Sequence, residues 1–544
     1  MITSGFLARR RIRRLASLVA SAALCGLAAC GNSVPAPGES SAAPSDALPP
    51  GPISCPAGGD LTVPADIVPA LLPDETTLKA WEEQMVGFGP RFTGSPALKA
   101  WHDFLASQLT AIGLDVKREP IKIDWWYHRQ WSLKVTAGGV ETDVPVASYV
   151  PYSGFTPPGG VEAGIVDAGK GDPAELAAAN PSGQIVFYEE DMLPAKAALF
   201  YAVASYIHDP DMTMTPAYDF KRASISFLTP QEESSLTVAK GLGAVGAVIS
   251  YDASADNAAG QYTPFLTSPG ASQGLPALYI DRATGDKVKA LLAAGAKARL
   301  ELVVDQHPGD STDDIIATLP GTNPDEIMVV NTHTDGTSAA EENGGIGVVA
   351  LARYFAALPQ TCRQRTIVFA LTPGHFNNGI GGETARFIAN HPEIIAKTVA
   401  SVTIEHLGQT EWVDDMAGFH PTGMNEPGLL YGTANAVQDL MKNAVIAEDL
   451  RRSFVMRPYG PIYFGVGSPL NAQGVPNAAY ITGPNMMLSW AHNQHLDKVD
   501  YHRMAAEIRT MTRIAASMDA TSSQVLCAGI VPMTGSPGQT GCVP

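Results

Sequence analysis

Apolar runs alternate with amphipathic stretches along the second half of the chain, from residue 309 onward. The short, almost wholly apolar runs are typical of strands that are buried on both faces. Stretches with apolar side chains at helical spacing lie between these strands, which indicates helices packed on a sheet. The predicted strands are EIMVVNTH, TIVFALT, SVTIEH and NAAYIT, and the predicted helices include IGVVALARYFAAL, AVQDLMKNAVIAEDL and YHRMAAEIRTMTRIAASM. This pattern predicts the α/β class, with a mostly parallel sheet flanked by helices.

The first half of the chain has a different pattern. Residues 75–117 predict two helices joined by a turn and followed by a strand, with Leu98, Trp101 and Leu105 at helical spacing. Beyond them, short β-rich runs alternate with Gly and Pro loops, which predicts a β-rich module inserted in the main domain. The expected units are the first part of the main domain (61–130), the insert (131–308), the second part of the main domain (309–520) and a loop-like tail (521–544).

The N-terminus has the pattern of a targeting segment. Residues 1–29 begin with the basic ARRRIRRL and continue with a short apolar run that ends in LAAC. LAAC resembles the lipobox of bacterial lipoproteins, which implies cleavage before Cys30 and acylation of that cysteine. An ordinary secretory signal with a chance cysteine is the alternative. Residues 30–60, rich in Pro, Ser, Ala and Gly, predict a flexible tether between a lipid anchor in the membrane and the folded domains. Gly31 rather than Asp follows the cysteine, so we expect a cell-envelope lipoprotein of the outer membrane.

The net charge restricts the possible partners, and the cysteine content predicts disulfides. The net charge is −18, and such a surface repels nucleic acid and anionic lipid. Outside the signal and the lipobox four cysteines remain, which allow three pairings in an oxidising compartment. Cys527 and Cys542 enclose a Gly/Pro-rich loop that can bend freely, so we expect them to pair and Cys55 to pair with Cys362.

Candidate metal ligands follow four successive predicted strands. His333 and Asp335 end the first strand, and Glu341 and Glu342 lie in the loop before its helix. The later strand ends carry His375, then Glu405 with His406, and finally His492 with His495. In open α/β sheets the carboxyl ends of the strands form the ligand site, and imidazoles and carboxylates are the ligands of catalytic zinc. Asp335, two residues after His333 in an extended chain, is expected to orient its imidazole.

A less specific interpretation exists for each of these residues. A histidine at a strand end is often only hydrogen-bonded, and a Glu pair before a helix commonly interacts with the helix dipole. His406, next to Glu405 in an extended chain, is expected to face away from it. The coincidence of a His or an acid at four strand ends favours the metal site.

Several motifs resemble those of the zinc aminopeptidases with two co-catalytic metals, relatives of glutamate carboxypeptidase II and glutaminyl cyclase. HTD, EENGG, IEHLG and HNQHLDKVD are similar to the ligand motifs of that family, and GFGPRFTGSPALKAW is similar to its opening helices. The resemblance implies one or two zinc ions held by His333, Glu342, Glu405 and His492. Within the insert, TVAKGLGAVGAVISYD followed by LPALYIDRATGDKVKALL resembles a protease-associated domain.

One motif departs from the family pattern. Where the family has a Glu-Glu pair, its general base and a metal ligand, this chain has GHFNNGIGGE, which places Phe376 and Asn377 on the two glutamates. Glu341 and His375 are then the two candidates for the base, and Asp335 is the third predicted catalytic residue.

The sequence therefore predicts an exported zinc metallohydrolase that cuts peptide or small amide substrates near a chain terminus. The alternative is a binding protein on a degenerate peptidase scaffold, because the Glu-Glu pair is missing. A serine hydrolase is a third candidate, since GASQG around Ser272 fits G-x-S-x-G. A nucleophile elbow needs a strand before the serine and a helix after it, whereas a Pro/Gly loop precedes Ser272 and a strand-like run follows it.

Overall fold

The computed structural model describes residues 54–57, 59, 62–224, 234–263, 274–377, 382–433, 435–458, 463–530, 532 and 539–542. The predicted signal segment, Cys30, Ser272 and residues 378–381 of the GHFNNGIGGE motif lie outside these residues.

The strands are β1 (Asp115–Ala137), β2 (Val140–Val144), β3 (Ser148–Tyr149), β4 (Val161–Asp167), β5 (Ile185–Glu190), β6 (Met192–Lys196), β7 (Ala204–His208), β8 (Asp219–Ser224), β9 (Gly246–Tyr251), β10 (Ala277–Asp281), β11 (Lys297–Leu319), β12 (Asn323–His333), β13 (Arg365–Thr372), β14 (Thr398–Ile404), β15 (Thr410–Asp415), β16 (Gly418–Asn425), β17 (Gly428–Gly432), β18 (Ser453–Met456) and β19 (Asn477–Ile481).

The helices are α1 (Glu75–Gly87), α2 (Pro96–Ala111), α3 (Pro173–Ala179), α4 (Ala198–Tyr201), α5 (Ser235–Gly241), α6 (Ala255–Ala258), α7 (Arg282–Leu292), α8 (Gly344–Ala357), α9 (Glu383–Asn390), α10 (Pro392–Ile395), α11 (Asn435–Ala447), α12 (Ser468–Ala472), α13 (Tyr501–Ala520) and α14 (Ser523–Leu526). Among the described helices, none is long and apolar enough to cross a bilayer.

Four parallel strands in the order β13, β12, β14 and β19 form the centre of the main sheet. Alternate residues of β12 pack on opposite faces. Met328 and Val330 belong to the core beneath α8 and α13, whereas Val329 packs with Phe387 of α9 and Leu470 of α12 on the other face. This arrangement confirms the predicted class, a mostly parallel sheet flanked by helices.

Helix α8 begins directly over the carboxyl ends of two strands. A Cβ atom at Gly344 would lie 2.3 Å from the carbonyl oxygen of Ile404 and equally close to the Thr332 hydroxyl. Only glycine therefore allows the helix to start this close to β12 and β14. As a result, the loop before α8 is held against the strand ends.

The insert and the main domain share one sheet. Strands β1 and β11 pair antiparallel along almost their entire lengths, and β11 also pairs with β13 of the main domain and β4 of the insert. The expected insert boundaries at residues 131 and 308 both fall inside these two strands. Strand β7 of the insert completes the far edge of the sheet by pairing with β18.

Two disulfides connect the chain as expected. Cys55 pairs with Cys362, across 307 residues of sequence, and attaches the N-terminal segment to the loop before β13. Cys527 pairs with Cys542 and closes a loop of 15 residues. Gly541 donates its backbone N–H to the Thr398 carbonyl, so the end of this loop is docked on the start of β14.

Candidate metal centre

The carboxyl ends of three parallel strands bring the predicted polar residues together. His333 is the last residue of β12, His375 follows β13, and Glu405 and His406 follow β14 directly. Glu341 reaches the same place from the loop before α8. Parallel strands end at a common edge of their sheet, which explains why residues far apart in sequence meet here.

His333, Glu341 and His406 form a group that could hold a metal ion. One potential ligand atom of each lies within 4.8 Å of the others, and all three side chains are fully buried. The His333 Nδ1 lies 2.9 Å from the carbonyl oxygen of Asp335, and the His406 Nδ1 lies 2.8 Å from that of Thr482. Because a carbonyl only accepts, these contacts assign the ring proton to Nδ1. Each Nε2 then carries the free lone pair that a metal-binding imidazole needs. The Nε2 of His406 lies 3.6 Å from Glu341 Oε2, and that of His333 lies 3.7 Å from Glu405 Oε2.

His375 borders this group. Its ring stacks on that of His333, with 4.3 Å between the ring centroids. Its Nε2 lies 3.5 Å from Glu341 Oε1, and its Nδ1 lies 3.2 Å from Glu383 Oε1. His375 therefore lies between two carboxylates at the edge of the three-residue group.

Glu405 adds a second buried carboxylate. Its Oε1 accepts the backbone N–H of Val466 at 2.8 Å, and its Oε2 lies 3.7 Å from His333 Nε2. The Nε2 of His333, both oxygens of Glu341 and the Oε2 of Glu405 are buried and have no hydrogen-bond partner among the residues that the structure describes. Buried polar atoms without partners are costly, and a bound cation would satisfy all four. The donor set of this chain therefore fits a metal ion.

The electrostatics of the unliganded cluster lead to the same conclusion. Burial lowers the pKa of His333 to about 3, so this imidazole is neutral. Burial also raises the pKa of Glu405 to about 8, because the charged form loses its hydration. Burial opposes a charge on His375 too, but the neighbouring carboxylates of Glu341 and Glu383 outweigh it and raise its pKa well above the usual range. A cation bound beside Glu405 would lower the pKa of this carboxyl group again and favour its charged form.

Asp335 interacts with its surroundings differently from the expectation. Its main-chain carbonyl, not its carboxylate, meets the His333 ring. The carboxylate accepts a hydrogen bond from the Thr93 hydroxyl and from three successive backbone N–H groups, residues 374–376, at 3.0, 3.2 and 2.9 Å. Asp335 therefore holds the loop that carries His375 against the end of β12.

The structure places two other predicted ligands away from the three-residue group. Glu342 is fully buried and forms an ion pair with Arg91. His492 is exposed, and its ring lies beside that of His495, with 5.8 Å between the centroids. Residues 492–495 all have positive φ values, from 49° to 59°, so this segment makes a left-handed turn. His492 was assigned from the resemblance of HNQHLDKVD to a ligand motif, and the sequence gives no signal for this turn.

The residues that replace the Glu-Glu pair pack on the insert. Phe376 is fully buried with its ring centroid 5.8 Å from that of Tyr262. The Asn377 amide donates to the Tyr152 hydroxyl and to the Asp124 carbonyl, each at 3.3 Å. Hydrophobic packing and an amide network thus occupy the two positions at which the family resemblance implies acids.

Two residues of the cluster were not predicted as site residues. His406 has a positive φ of 54°, so the chain turns directly after Glu405 and both side chains reach the same cavity. Non-glycine residues rarely adopt this conformation, and the sequence gives no signal for it. Glu383 is the first residue of α9, where an acid normally indicates only a favourable interaction with the helix dipole.

Comparison with solved structures identifies the fold. The chain matches a peptidase M28 precursor from Shewanella amazonensis SB2B at 20% identity, covering 84% of this chain and 97% of that one with a TM-score of 0.60. It matches an aminopeptidase from Aneurinibacillus sp. strain AM-1 at 17% identity (83% and 96% covered, TM-score 0.54) and a zinc aminopeptidase from Bacillus subtilis at 16% (82% and 95%, TM-score 0.55). No family model matches the sequence, and neither does any curated protein. The chain therefore has the fold of the M28 zinc aminopeptidases.

Replacing Asp335 by Asn tests its anchoring role. An amide group presents one oxygen and one NH2 to four donors, so at least one donor loses its acceptor. Because hydrogen bonds to a buried carboxylate are worth about 1.5–3 kcal/mol each, we expect the free energy of unfolding to fall by about 3 kcal/mol in urea titrations. The exposed Asp143→Asn serves as the control and should change it by less than about 0.5 kcal/mol. Equal stability of the two variants would contradict the anchoring role.

Proposed function

We propose that this protein is a zinc-dependent hydrolase that cuts amide bonds near the end of a peptide. The buried group of His333, Glu341 and His406 carries the proposal. Two histidines and one glutamate are a ligand set that catalytic zinc uses in peptidases, with a position left open for water or substrate. The fold shared with M28 aminopeptidases supports peptides as the substrate class.

The surrounding residues prepare this group for a metal. The carbonyls of Asp335 and Thr482 fix the tautomer and the orientation of the two imidazoles. Burial of all three side chains excludes bulk water and strengthens electrostatic interactions with a bound ion. When bound, zinc supplies a Lewis acid that polarises a carbonyl oxygen and activates water.

His375 remains the predicted catalytic group for proton transfer. Its Nε2 faces the group from 3.5 Å away, and Glu383 holds its Nδ1 at 3.2 Å, so the ring has a fixed orientation. The sequence-based choice lay between Glu341 and His375. Glu341 contacts two imidazoles, as a ligand would, and this leaves His375 as the better placed of the two.

A binding protein on a peptidase scaffold is the second candidate. The packing of Phe376 and Asn377 against the insert favours it, because these residues fill the places of the two acids implied by the resemblance. The zinc content of the purified protein separates the two candidates, since a scaffold that has lost its site should bind little zinc.

The proposed enzyme works outside the cytoplasm. The LAAC sequence supports acylation at Cys30, and the two disulfides are consistent with an oxidising compartment. Its substrates would then be peptides or small amides that reach the cell envelope, where a lipid anchor would hold the enzyme at the membrane.

Zinc content and hydrolysis together test the main proposal. Protein purified without chelator should contain zinc and should hydrolyse members of a panel of aminoacyl and dipeptide substrates. His333→Ala and His406→Ala each remove one ligand, so both should lose most of the zinc and the activity while keeping the far-ultraviolet circular dichroism of the wild type. His420→Ala, at a half-buried histidine of β16 outside the cluster, should keep both. Wild-type activity in a zinc-free His333→Ala protein would refute the proposal.

The role of His375 has its own test. His375→Gln should lower kcat by at least about 100-fold, the usual contribution of a positioned acid or base, and it should retain zinc because His333, Glu341 and His406 are unchanged. Stopped assays on the same substrate panel, paired with metal analysis, give both quantities. Full activity of this variant would exclude a role in proton transfer.

The lipid anchor is tested by cell fractionation. We expect the wild type in the membrane fraction and Cys30→Ala, which cannot be acylated, in the soluble fraction or retained as an uncleaved precursor. A wild-type protein found soluble, with a mature N-terminus other than Cys30, would disprove lipidation.

A further inference from the structure

Two neighbouring glutamates in the loop before α8 face different groups. Glu341 faces His375 and His406, at 3.5 and 3.6 Å. Glu342 faces the guanidinium of Arg91. Both are fully buried, and both pack tightly on Gly336, where a Cβ atom would lie 2.0 Å from Glu342 Oε2 and 2.9 Å from Glu341 Cγ. Gly336 thus leaves the space that both glutamate side chains occupy.

Arg91 is fixed in place by acceptors on three segments of the chain. Its Nη1 donates to the carbonyls of Met85 and Gly89, at 3.3 and 2.6 Å, and also contacts the Gln494 side chain. Its Nη2 donates to the Ser338 carbonyl at 3.0 Å. The guanidinium is fully buried. It is therefore a permanent positive charge of this region rather than a surface side chain that moves aside.

The charge of Arg91 is balanced by Glu342. Glu82 also lies near the guanidinium, but burial raises its pKa well above the usual value even though Arg91 opposes that shift. Glu82 Oε1 accepts a hydrogen bond from the Asn343 side-chain amide at 3.5 Å. The Arg91 guanidinium forms its ion pair with Glu342, so this carboxylate has a fixed positive neighbour.

We infer that the site binds one zinc ion, and that the Arg91 guanidinium takes Glu342 from the place where the family resemblance implies a second metal. This inference rests on the proposed function. Within the described residues, His333, Glu341 and His406 are the one group of three ligating side chains that meet within 4.8 Å. Of the other acids, Glu383 faces His375, whereas Glu405 accepts the Val466 N–H with Oε1 and places Oε2 3.7 Å from His333 Nε2, beside the same three-residue group.

Zinc stoichiometry tests this inference directly. The full mature protein is loaded with excess zinc, passed through a desalting column and analysed by inductively coupled plasma mass spectrometry. We expect one zinc per chain. Two tightly held zinc ions per chain would overturn the inference and leave the proposed function standing, whereas a protein that takes up no zinc would refute both.

A matched pair of variants locates the ion. Glu341→Gln and Glu342→Gln are isosteric changes at adjacent buried positions, so they differ mainly in which cation they affect. Glu341→Gln should lose most of its zinc. Glu342→Gln should retain one zinc per chain but melt at a lower temperature, because Arg91 is left without its counter-ion. Loss of zinc from Glu342→Gln that still gives a cooperative melt would overturn the inference; if that variant does not fold, the wild-type stoichiometry decides.

Discussion

The need to compensate buried negative charge controls the architecture of this site. Glu341, Glu342 and Glu405 lie in an interior from which water is excluded, where an isolated carboxylate is strongly destabilised. A different group lies beside each of these carboxylates. Glu342 has a guanidinium, Glu405 shares a backbone N–H, and Glu341 faces imidazoles that are not permanent cations. A metal ion bound beside Glu341 would complete the compensation and would therefore also stabilise the folded protein.

The ends of three strands, the start of a helix and an anchored loop hold this cluster in place. Strands β12, β13 and β14 deliver the histidines and Glu405 to one edge, and Gly344 lets α8 start close enough to bring Glu341 to them. Asp335 then ties the loop after β13 to the end of β12 through three backbone N–H groups. The insert supports that loop from outside, since Phe376 and Asn377 pack against it. The two positions at which the resemblance implies acids are thus part of the contact between insert and main domain.

Periodicity was enough to predict the parallel sheet and its flanking helices, because apolar strands buried on both faces leave an unmistakable pattern. It was also enough to place His333, Glu341, His375 and Glu405 at one edge. It could not assign their partners. Which of Glu341 and Glu342 lies beside the histidines depends on Arg91, some 250 residues away in the sequence, because Arg91 pairs with Glu342. The inward position of the His406 side chain depends on a positive φ, which the residue type does not predict. Strands β1 and β11 likewise pair along their length across the predicted boundary between main domain and insert, which was placed where the sequence pattern changes.

Anomalous X-ray diffraction at the zinc absorption edge, from crystals of the zinc-loaded protein, tests the central claim most directly. We expect a single anomalous peak about 2 Å from the Nε2 atoms of His333 and His406 and from a carboxylate oxygen of Glu341, which is the usual length of bonds to zinc. Glu342 should still be paired with Arg91. A peak coordinated by Glu342 and His492 instead, or no peak within bonding distance of His333, would contradict it.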